Sequence, residues 1–333
     1  MLKFAIIGCG KISGRHAENC ERIGKLVAVC DVIPSKANAL ASKHKSTPYY
    51  NIDELLKNEP DIDIICICTP NGLHAEHSIK SLQSGKNVLC EKPLCLTSNA
   101  ASQIVDTAFF FKKKIFVVKQ NRYNEPVRIV KNVLDKNLLG DIFSFQINCF
   151  WNRPQEYYTG DWKGTEYLDG GILYTQFSHF IDLLYWFLGD VAEVSGYKKK
   201  SMGRSNMFIE DNGVAILKME NGAIGTLHYS INSYNSNKEG SFTLLGEKGT
   251  VKIGGQYLNT LEWFDVEGQE KPQLKSTATP NDYGFYQGSM SNHDKVYLDL
   301  IASINGNGNL VEAKEAIKTI EIIEKIYAST KEV

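Results

Sequence analysis

The sequence predicts an α/β protein in which a doubly wound parallel sheet precedes an α+β domain with an open, mostly antiparallel sheet. Up to residue 122, apolar strand patterns alternate with helical patterns, and such βα repeats favour right-handed parallel crossovers. From about residue 142, strand patterns follow one another with few helices between them. We therefore expect domains at 1–122 and 123–333, with the last helices packing back on the first domain.

The composition is typical of a globular protein in a reducing compartment. The 333 residues are 43% hydrophobic and 23% charged, with a formal net charge of −1, which argues against nucleic acid or an anionic membrane as partner. None of the eight cysteines forms a Cys-x-x-Cys pair, so we expect buried thiols and no metal. Without a signal peptide or a membrane-spanning apolar run, we expect a cytoplasmic protein.

The first domain is predicted from local patterns. Its strands are expected at 4–7, 25–30, 62–68, 87–90 and 115–118. Five helices are expected. One spans 14–23, one begins at Pro34, one follows a cap at Asp53, one ends at Ser84, and one runs from a cap at Thr97 or Ser98 to Phe111. Ligands of such sheets bind beyond the carboxyl ends of the strands, so the loops after these strands should converge.

The second domain is predicted to begin with an alternating strand at 143–151, followed by a single helix at 173–188. A hairpin is expected around Asn221-Gly222 and a second one between 241–245 and 250–253. Residues 208–218 read as a strand with apolar side chains on both faces, which predicts that one face of the sheet pairs with a second subunit. The polar stretch 267–289 is expected to be a loop, and helices at 292–304 and 311–329 close the chain.

A glycine-rich turn follows the first strand. Gly8 suits a tight turn, Gly10 leaves space where a pyrophosphate approaches, and Ser13 stands where the dinucleotide pattern has a third glycine. The alternative is a strand-to-helix turn without a ligand.

Asp31 ends the second strand, 21 positions after Gly10, where a ribose-binding carboxylate belongs. A carboxylate there accepts the ribose hydroxyls and repels a 2′-phosphate, which favours NAD over NADP. The alternative for Asp31 is a helix cap or a loop acid.

Lys92 follows a predicted strand, between Glu91 and Pro93. The proline restricts the Lys92 backbone, and a partly buried lysine can serve as acid, base or hydrogen-bond donor. The alternative is a solvated loop lysine. His179 lies on the apolar helix of the second domain, where it is either catalytic or a core histidine. A pair formed by Lys92 and His179 would suit removal of a hydroxyl proton as hydride leaves carbon.

Other polar residues leave two interpretations open. Arg122 could bind an anionic substrate or form an ion pair that joins the domains. The aromatic stretch 151–158, which includes Arg153, suits stacking on a sugar or base, or else simple packing. His293 and Tyr297 lie one turn apart on a late helix and could reach the site or serve only packing.

Together these motifs resemble the Gfo/Idh/MocA oxidoreductases. The resemblance rests on Gly8-Cys9-Gly10 with His16, on residues 69–74, on Glu91-Lys92-Pro93, and on Gly170-Gly171 followed by His179 and Asp182. It implies a Rossmann domain, NAD(P)-dependent oxidation of a sugar or polyol, and dimers or tetramers formed through the second sheet. It also implies that Lys92 and His179 are the catalytic lysine and histidine.

The resemblance extends to a narrower branch. Thr175 and Gln176 depart from the polyol dehydrogenases, many of which have an aspartate at the position of Thr175. Residues 119–124, 152–158 and 161–164 are similar to UDP-N-acetyl-glucosaminuronate 3-dehydrogenases of surface-polysaccharide biosynthesis, including lipopolysaccharide. This implies a nucleotide-sugar substrate oxidised at its 3-hydroxyl, and Trp162 and Lys163 at the cofactor.

Two sets of binding residues follow from the motifs and the resemblance. The expected cofactor-binding residues are Gly8, Gly10, Lys11, Ile12, Asp31, Thr69, Asn71, His74, Glu91, Lys92, Gln120, Trp162 and Lys163. The expected substrate-binding residues are Arg122, Tyr123, Arg153, Tyr158, Thr175, Gln176, His179 and His293. The alternative functions are a dehydrogenase of a free sugar or polyol, a non-catalytic NAD(H)-binding regulator, and NAD-dependent glycoside cleavage.

Overall fold

The computed structural model describes residues 1–160, 162–275, 279–284 and 286–333. The chain forms two compact units, each of which is assembled from two segments. The first unit consists of Met1–Val118 and His293–Ile320, and the second consists of Lys119–Asn292 and Glu321–Val333. Within the described ranges, no helix combines the length and the apolar character needed to cross a bilayer.

A six-stranded parallel sheet forms the centre of the first unit. Its strands are β1 (Leu2–Ile7), β2 (Gly24–Cys30), β3 (Thr47–Tyr49), β4 (Ile64–Ile67), β5 (Asn87–Cys90) and β6 (Ile115–Val117). Their order is β3-β2-β1-β4-β5-β6, and every pair is parallel. The predicted doubly wound sheet is therefore confirmed. Because the strand order reverses between β1 and β4, their carboxyl ends flank the switch point at which such sheets bind ligands.

Helices connect the strands of this sheet. They are α1 (Ser13–Ile23), α2 (Pro34–His44), α3 (Ile52–Asn58), α4 (His74–Gln83) and α5 (Ser98–Phe110). Thr97 caps α5 by accepting a hydrogen bond from the Ala100 amide at 3.2 Å, as predicted. The cap predicted at Asp53 is wrong. Asn51 Oδ1 caps α3 by accepting from the amides of Asp53 and Glu54 at 2.7 and 3.3 Å, because Asn51 is the last extended residue before the helix.

The second unit contains an eight-stranded sheet and a small two-stranded one. The strands are β7 (Ile142–Phe150), β8 (Val191–Lys199), β9 (Asn212–Met219), β10 (Ile224–Ser230), β11 (Glu239–Gly246), β12 (Gly249–Gly254), β13 (Thr260–Val266), β14 (Pro280–Asp282), β15 (Gln287–Met290) and β16 (Thr330–Glu332). The large sheet has the order β13-β12-β11-β7-β10-β9-β8-β16. Its β7–β10 and β8–β16 pairs are parallel and the others antiparallel, so the mostly antiparallel sheet is confirmed.

The remaining helices follow in chain order. They are α6 (Glu125–Asp135), α7 (Ile172–Thr175), α8 (Ser178–Leu188), α9 (His293–Ile304) and α10 (Ala313–Ser329). Helix α9 belongs to the first unit, and α10 begins in it and ends in the second. Val311 accepts a backbone hydrogen bond from Val117 at 2.8 Å, and Ala313 and Ala316 join the apolar core of the first unit.

Three predictions for the second domain need correction. The single helix predicted at 173–188 is two helices, because the amides of Gln176 and Phe177 both bond to the Ile172 carbonyl and end α7. The strand predicted from 208 begins at Asn212, because the Asp211 carboxylate accepts hydrogen bonds from a preceding loop. The stretch 267–289, expected to be a loop, contains β14 and the start of β15; residues 276–278 and 285 lie outside the described residues.

The two faces of the large sheet differ in exposure. Along β9, Ala215 and Leu217 are buried, whereas Val214 and Ile216 are 40% and 61% exposed. The buried face packs on α8, where the Phe187 ring lies 5.3 Å from that of Phe242. All eight cysteines are buried thiols outside any disulfide, as expected.

Candidate functional site

The turn after β1 has the backbone conformation that the glycine motif predicts. Gly8 has φ +96°, and a Cβ there would lie 2.6 Å from the Cys68 carbonyl carbon. Gly10 is different, because a Cβ at that position would meet no atom within 4 Å. Packing therefore does not require glycine at position 10, and the open space fits the approach of a cofactor pyrophosphate. Ser13 Oγ donates to the Gly10 carbonyl at 2.6 Å and closes the turn.

Asp31 is anchored beside this turn by backbone amides. Its Oδ2 accepts from the Cys9 amide and its Oδ1 from the Ile33 amide, both at 2.8 Å. Each carboxylate oxygen has a second lone pair, so the anchored group can still accept ribose hydroxyls. The residues of the first unit thus fit a dinucleotide with a free 2′-hydroxyl, which is NAD.

The loop after β4 is tied to the segment that carries Lys92. The ring of His74 is 1% exposed, with Nδ1 2.6 Å from the Pro93 carbonyl and Nε2 2.8 Å from the Thr69 carbonyl. Burial lowers the pKa of His74, and a neutral ring donates from one nitrogen only. The short 3-10 turn Asn71–Leu73 lies within this loop, and both Asn71 and His74 are buried.

A buried polar cluster surrounds Glu91. Glu91 Oε1 lies 2.9 Å from His16 Nε2 and 3.2 Å from His293 Nε2, and Oε2 accepts from the Lys92 amide at 3.1 Å. His16 Nδ1 lies 2.6 Å from the Tyr297 hydroxyl. The cluster therefore fixes the backbone on which Lys92 stands. The structure places His293, which we expected at the substrate, on Glu91 with its ring 1% exposed.

Charges in this cluster reinforce one another. Burial disfavours ionised Glu91, but its hydrogen bonds to His16 and His293 and their charges hold the pKa of Glu91 well below its ordinary value. Burial also disfavours charged His16, yet neighbouring sulfurs and Glu91 raise the pKa of His16 well above 6.5.

Among the described residues, His16, Glu91 and His293 are also the group with the donor types and spacing of a metal site. Hydrogen bonds between the histidines and the carboxylate account for that spacing without an ion.

In the second unit, Lys119 and Arg122 share the Asp182 carboxylate. Arg122 donates to it from two nitrogens at 2.8 and 2.9 Å, and Lys119 Nζ lies 3.2 Å away. Burial disfavours the charged carboxyl, but the two cations hold the pKa of Asp182 far below its ordinary value. The ion pair of Arg122 thus lies within the second unit. Asp182 lies one helical turn beyond His179 on α8.

Arg153 is buried among neutral and aromatic groups. It is 1% exposed, donates from Nε to Gln176 Oε1 at 2.7 Å and from Nη1 to Asn237 Oδ1 at 3.2 Å, and lies 5.0 Å from the Trp151 ring centroid. Within the described ranges, no carboxylate pairs with it. A buried cation without a carboxylate is costly unless other groups compensate it, and here neutral acceptors and aromatic rings surround Arg153.

The segments around Arg153 are cross-linked by side chains. Lys163 Nζ lies 4.3 Å from the Tyr157 ring centroid, beside Trp162. The Gly164 amide donates to Asp169 Oδ2 at 2.8 Å, and Thr175 donates to the same carboxyl group. Burial raises the pKa of Asp169 to about 6. These bonds join the Trp162–Lys163 loop to the end of α7, where Thr175 and Gln176 are located.

The other expected residues of the second unit are placed as follows. Gln120 donates to Ser289 Oγ at 3.1 Å, Tyr123 is half-buried, and Tyr158 is 1% exposed with its ring 5.0 Å from that of Tyr157. His179 lies in the first turn of α8 and is 2% exposed. The structure thus joins Arg153 to Gln176 by a direct hydrogen bond. It joins Asp31 to the glycine turn through the Cys9 amide.

Sequence reasoning missed three partners of these residues. Asp169, Asn237 and the Tyr157 hydroxyl, which accepts from Gln176 at 2.7 Å, orient the predicted residues but were not among the expected site residues. Tyr157 lies in the aromatic stretch 151–158 and Asp169 precedes the Gly170-Gly171 pair, whereas no pattern pointed to Asn237.

Comparisons with known proteins match both parts of the chain. Residues 2–118 match the model of the NAD-binding Rossmann fold of the Gfo/Idh/MocA oxidoreductase family, and residues 131–333 match its C-terminal alpha/beta domain. D-glucoside 3-dehydrogenase of Escherichia coli K12 is 32% identical over 145 residues, 43% of this chain and 41% of that protein. Glucose-6-phosphate 3-dehydrogenase of Bacillus subtilis is 27% identical over 65% of this chain and 62% of that protein. The chain thus matches less than two thirds of the length of these curated relatives.

A solved structure covers more of the chain. The WlbA dehydrogenase of Chromobacterium violaceum, crystallised with NADH and UDP-GlcNAcA, has a TM-score of 0.88 and 30% identity, with 98% of this chain and 93% of that one covered. The Bordetella pertussis WlbA dehydrogenase, with the same two ligands, gives the same TM-score and identity, with 98% and 96% covered. The chain therefore belongs to the Gfo/Idh/MocA oxidoreductase family, and its first domain is an NAD-binding Rossmann domain of that family.

Proposed function

We propose that the protein is an NAD-dependent dehydrogenase that oxidises the 3-hydroxyl of a UDP-linked N-acetylamino-sugar uronate of the UDP-GlcNAcA type. The observation that carries the proposal is Arg153, a guanidinium that is 1% exposed and lacks a carboxylate partner within the described ranges. A free neutral sugar offers such a cation only uncharged hydrogen-bond acceptors, whereas a nucleotide sugar brings an anionic diphosphate.

The comparisons support both the UDP-linked sugar and the position at which it is oxidised. The two WlbA dehydrogenases were crystallised with UDP-GlcNAcA. Two relatives that match only in part are named as 3-dehydrogenases of glucosides or glucose 6-phosphate, which favours position 3 of the ring. Arg122, which bonds to Asp182 on the helix that carries His179, is proposed as a contact for a carboxylate on the sugar.

The proposed chemistry assigns one role to His179 and one to Lys92. The 3-hydroxyl gives its proton to His179 as the C3–H bond breaks and the C3=O bond forms. Lys92 donates a hydrogen bond to the same oxygen and stabilises its developing charge. Bound NAD supplies the hydride acceptor. In the first unit, the Glu91 carboxylate accepts a hydrogen bond from the Lys92 amide. This bond fixes the backbone from which the lysine extends.

Asp31 and the glycine turn are proposed to bind the adenosine half of the cofactor, as the open space at Gly10 and the anchored carboxylate support. Trp162, Lys163 and Gln120 are proposed cofactor contacts in the second unit. Arg153, Thr175 and Gln176 are proposed substrate contacts. A Thr175–Gln176 pair in place of the aspartate of many polyol dehydrogenases favours a substrate other than inositol.

We further propose that the protein assembles as a homo-oligomer, a dimer or tetramer, through the exposed face of the large sheet. Its proposed role is in the synthesis of a surface polysaccharide in the cytoplasm. On that face, Ile216, Ile224 and Trp263 are 50–61% exposed. Ile216 stands opposite Thr226 on the neighbouring strand. Ile224 lies two positions from Thr226, so the side chains of Ile216 and Ile224 project from the same face of the sheet.

A second candidate is a dehydrogenase of a free sugar or polyol, which the names of the partly matching relatives favour. A substrate panel separates the two. Purified protein with NAD is offered UDP-GlcNAcA, UDP-GlcNAc, glucose, glucose 6-phosphate and myo-inositol, and NADH is followed by absorbance. We expect kcat/KM to be highest for UDP-GlcNAcA. A higher value for a free sugar would establish the second candidate, and NAD binding without any turnover would favour a regulator.

A further inference from the structure

Three consecutive phenylalanines and three lysines stand at the end of helix α5 and in the turn after it. We call these six residues the Phe-Lys cluster. Its members are Phe109, Phe110, Phe111, Lys112, Lys113 and Lys114. The first two rings are 86% and 77% exposed, and the third is 36% exposed. The proposed function leaves this cluster without a role.

Packing within the first unit does not account for the exposed rings. The buried face of α5 is formed by Ala101, Ile104 and Ala108, which recur every three or four residues. Phe109 and Phe110 lie outside this face. Single exposed apolar side chains are common on protein surfaces, whereas adjacent large ones mark contact sites. The rings therefore indicate a surface that a partner covers.

The lysines are held directly after the rings by the backbone of the helix end. The Lys112 amide donates to the Phe109 carbonyl at 3.2 Å, and the Lys113 amide donates to the Ala108 carbonyl at 2.9 Å. Asp106, one turn before the rings, is the one acidic residue in the sequence of α5. Positive charge and exposed aromatic surface thus occur together at this helix end.

The cluster lies at the amino edge of the parallel sheet. Helix α5 starts after the carboxyl end of β5 and runs back to the start of β6, as the crossover between parallel strands requires. Lys113 also borders a cavity of about 520 Å³ together with Lys3 and Lys86, and with Asp61 and Asp63. Cations outnumber carboxylates among these lining residues. The glycine turn after β1 lies at the opposite, carboxyl edge of the same sheet.

We propose that the Phe-Lys cluster docks the first unit on an anionic lipid surface. The Phe109 and Phe110 rings insert at the boundary between headgroups and acyl chains, and Lys112 and Lys113 pair with lipid phosphates. Lysine is depleted in protein–protein interfaces, so the charges favour lipid over a protein partner. The net charge of −1 sums over distant surfaces and does not set the local field, because salt screens distant charges.

The test measures binding of the full-length protein to vesicles by co-sedimentation. One set of vesicles is phosphatidylcholine, and the other is an equimolar mixture with phosphatidylglycerol. We expect binding to the anionic set, weakened by salt, and little binding to the neutral set. The double variant Phe109→Ala/Phe110→Ala should bind the anionic vesicles about tenfold more weakly or worse. Lys112→Gln/Lys113→Gln should have an effect of similar size.

Matched variants carry the same changes at other places. Phe208→Ala removes a ring that is 67% exposed in the second unit. Lys43→Gln/Lys57→Gln removes two exposed lysines of the first unit. Both should bind the anionic vesicles like the unmodified protein. Circular dichroism of every variant checks that the fold is retained.

The outcomes do not depend on which sugar the protein oxidises. Loss of binding in both cluster variants, with the matched variants unchanged, would support lipid docking. Absence of binding to anionic vesicles, equal binding to the two vesicle sets, or unaltered binding of Phe109→Ala/Phe110→Ala would overturn it. A lower oligomer mass of that variant in light scattering without vesicles would also overturn it, since a second copy of the chain would then cover the rings.

Discussion

His16 and Glu91 form a buried ion pair directly beneath the segment that carries Lys92. The Nε2 and Oε1 atoms lie 2.9 Å apart, and the two side chains are 0% and 9% exposed. The other carboxylate oxygen of Glu91 accepts from the Lys92 amide. The pair therefore connects helix α1 to the strand end on which the proposed catalytic lysine stands.

This pair predicts how the stability of the protein varies with pH. His16 has a pKa raised above 6.5 in the folded state, so its contribution is complete below pH 6.5 and is lost as the pH rises through that raised pKa. Glu91 has a pKa lowered below 4.5, so its contribution is lost as the pH falls below that value. We expect the thermal midpoint to decline as pH rises above about 6.5, and to decline less in Glu91→Gln.

Glu91→Gln should also lose about 3–5 kcal/mol of stability near pH 6, because a buried charge is left without its partner. The matched control is His44→Gln, which breaks a His–Glu pair of the same unit whose glutamate is 46% exposed. Its effect should be below about 1 kcal/mol. Equal effects of the two substitutions would contradict the role given to the buried pair.

Lys92→Met should lower kcat by about 100-fold or more while NADH still binds, because the developing oxygen charge loses its donor. Lys25→Met, at an exposed position of the same sheet, should leave kcat unchanged. Steady-state kinetics and an NADH titration check both variants. A rate for Lys92→Met near that of the unmodified protein would remove Lys92 from the chemistry.

Asp31→Ala should weaken NADH binding about 10–100-fold, since charge-assisted hydrogen bonds to the ribose are lost. The preference over NADPH should shrink, because the carboxylate no longer repels a 2′-phosphate. Asp63→Ala is the control, since Asp63 also accepts a backbone hydrogen bond in this unit, at 2.8 Å from Lys3. Fluorescence titration with both cofactors measures the change, and an unaltered NADH/NADPH ratio would refute the assignment of Asp31.

Ile216→Glu should dissociate the oligomer, because a charge would be buried in the apolar contact that we propose on the exposed face of the sheet. Phe109→Glu, at a position that is 86% exposed in the first unit, should leave the assembly intact. Light scattering after gel filtration gives the masses. A monomeric unmodified protein would show that this face serves another purpose.

Sequence patterns were sufficient for features that depend on neighbouring residues. The parallel strands, the turn at Gly8 and the cap at Thr97 follow from apolar runs, backbone freedom and side-chain acceptors within a few positions. The three-residue strand β3 was missed, because Pro48 interrupts its pattern and only an edge strand tolerates a proline there.

Patterns were insufficient where distant residues determine the outcome. Glu91 lies 75 positions from His16 and 202 from His293, and no local spacing reveals such partners. The sequence pattern does not predict the break between α7 and α8 for the same reason, since Gln176 bonds to Arg153 and Tyr157 outside the helix. That Lys92 and His179 act on one substrate stays a prediction.

The most direct test of the central claim follows the hydrogen at C3. UDP-GlcNAcA deuterated at C3 is incubated with the protein and NAD, and the reduced cofactor is analysed by mass spectrometry beside an unlabelled sample. Our account predicts reduced cofactor one mass unit heavier than that from unlabelled substrate. Reduced cofactor without deuterium, or reduction by a free sugar but not by UDP-GlcNAcA, would contradict it.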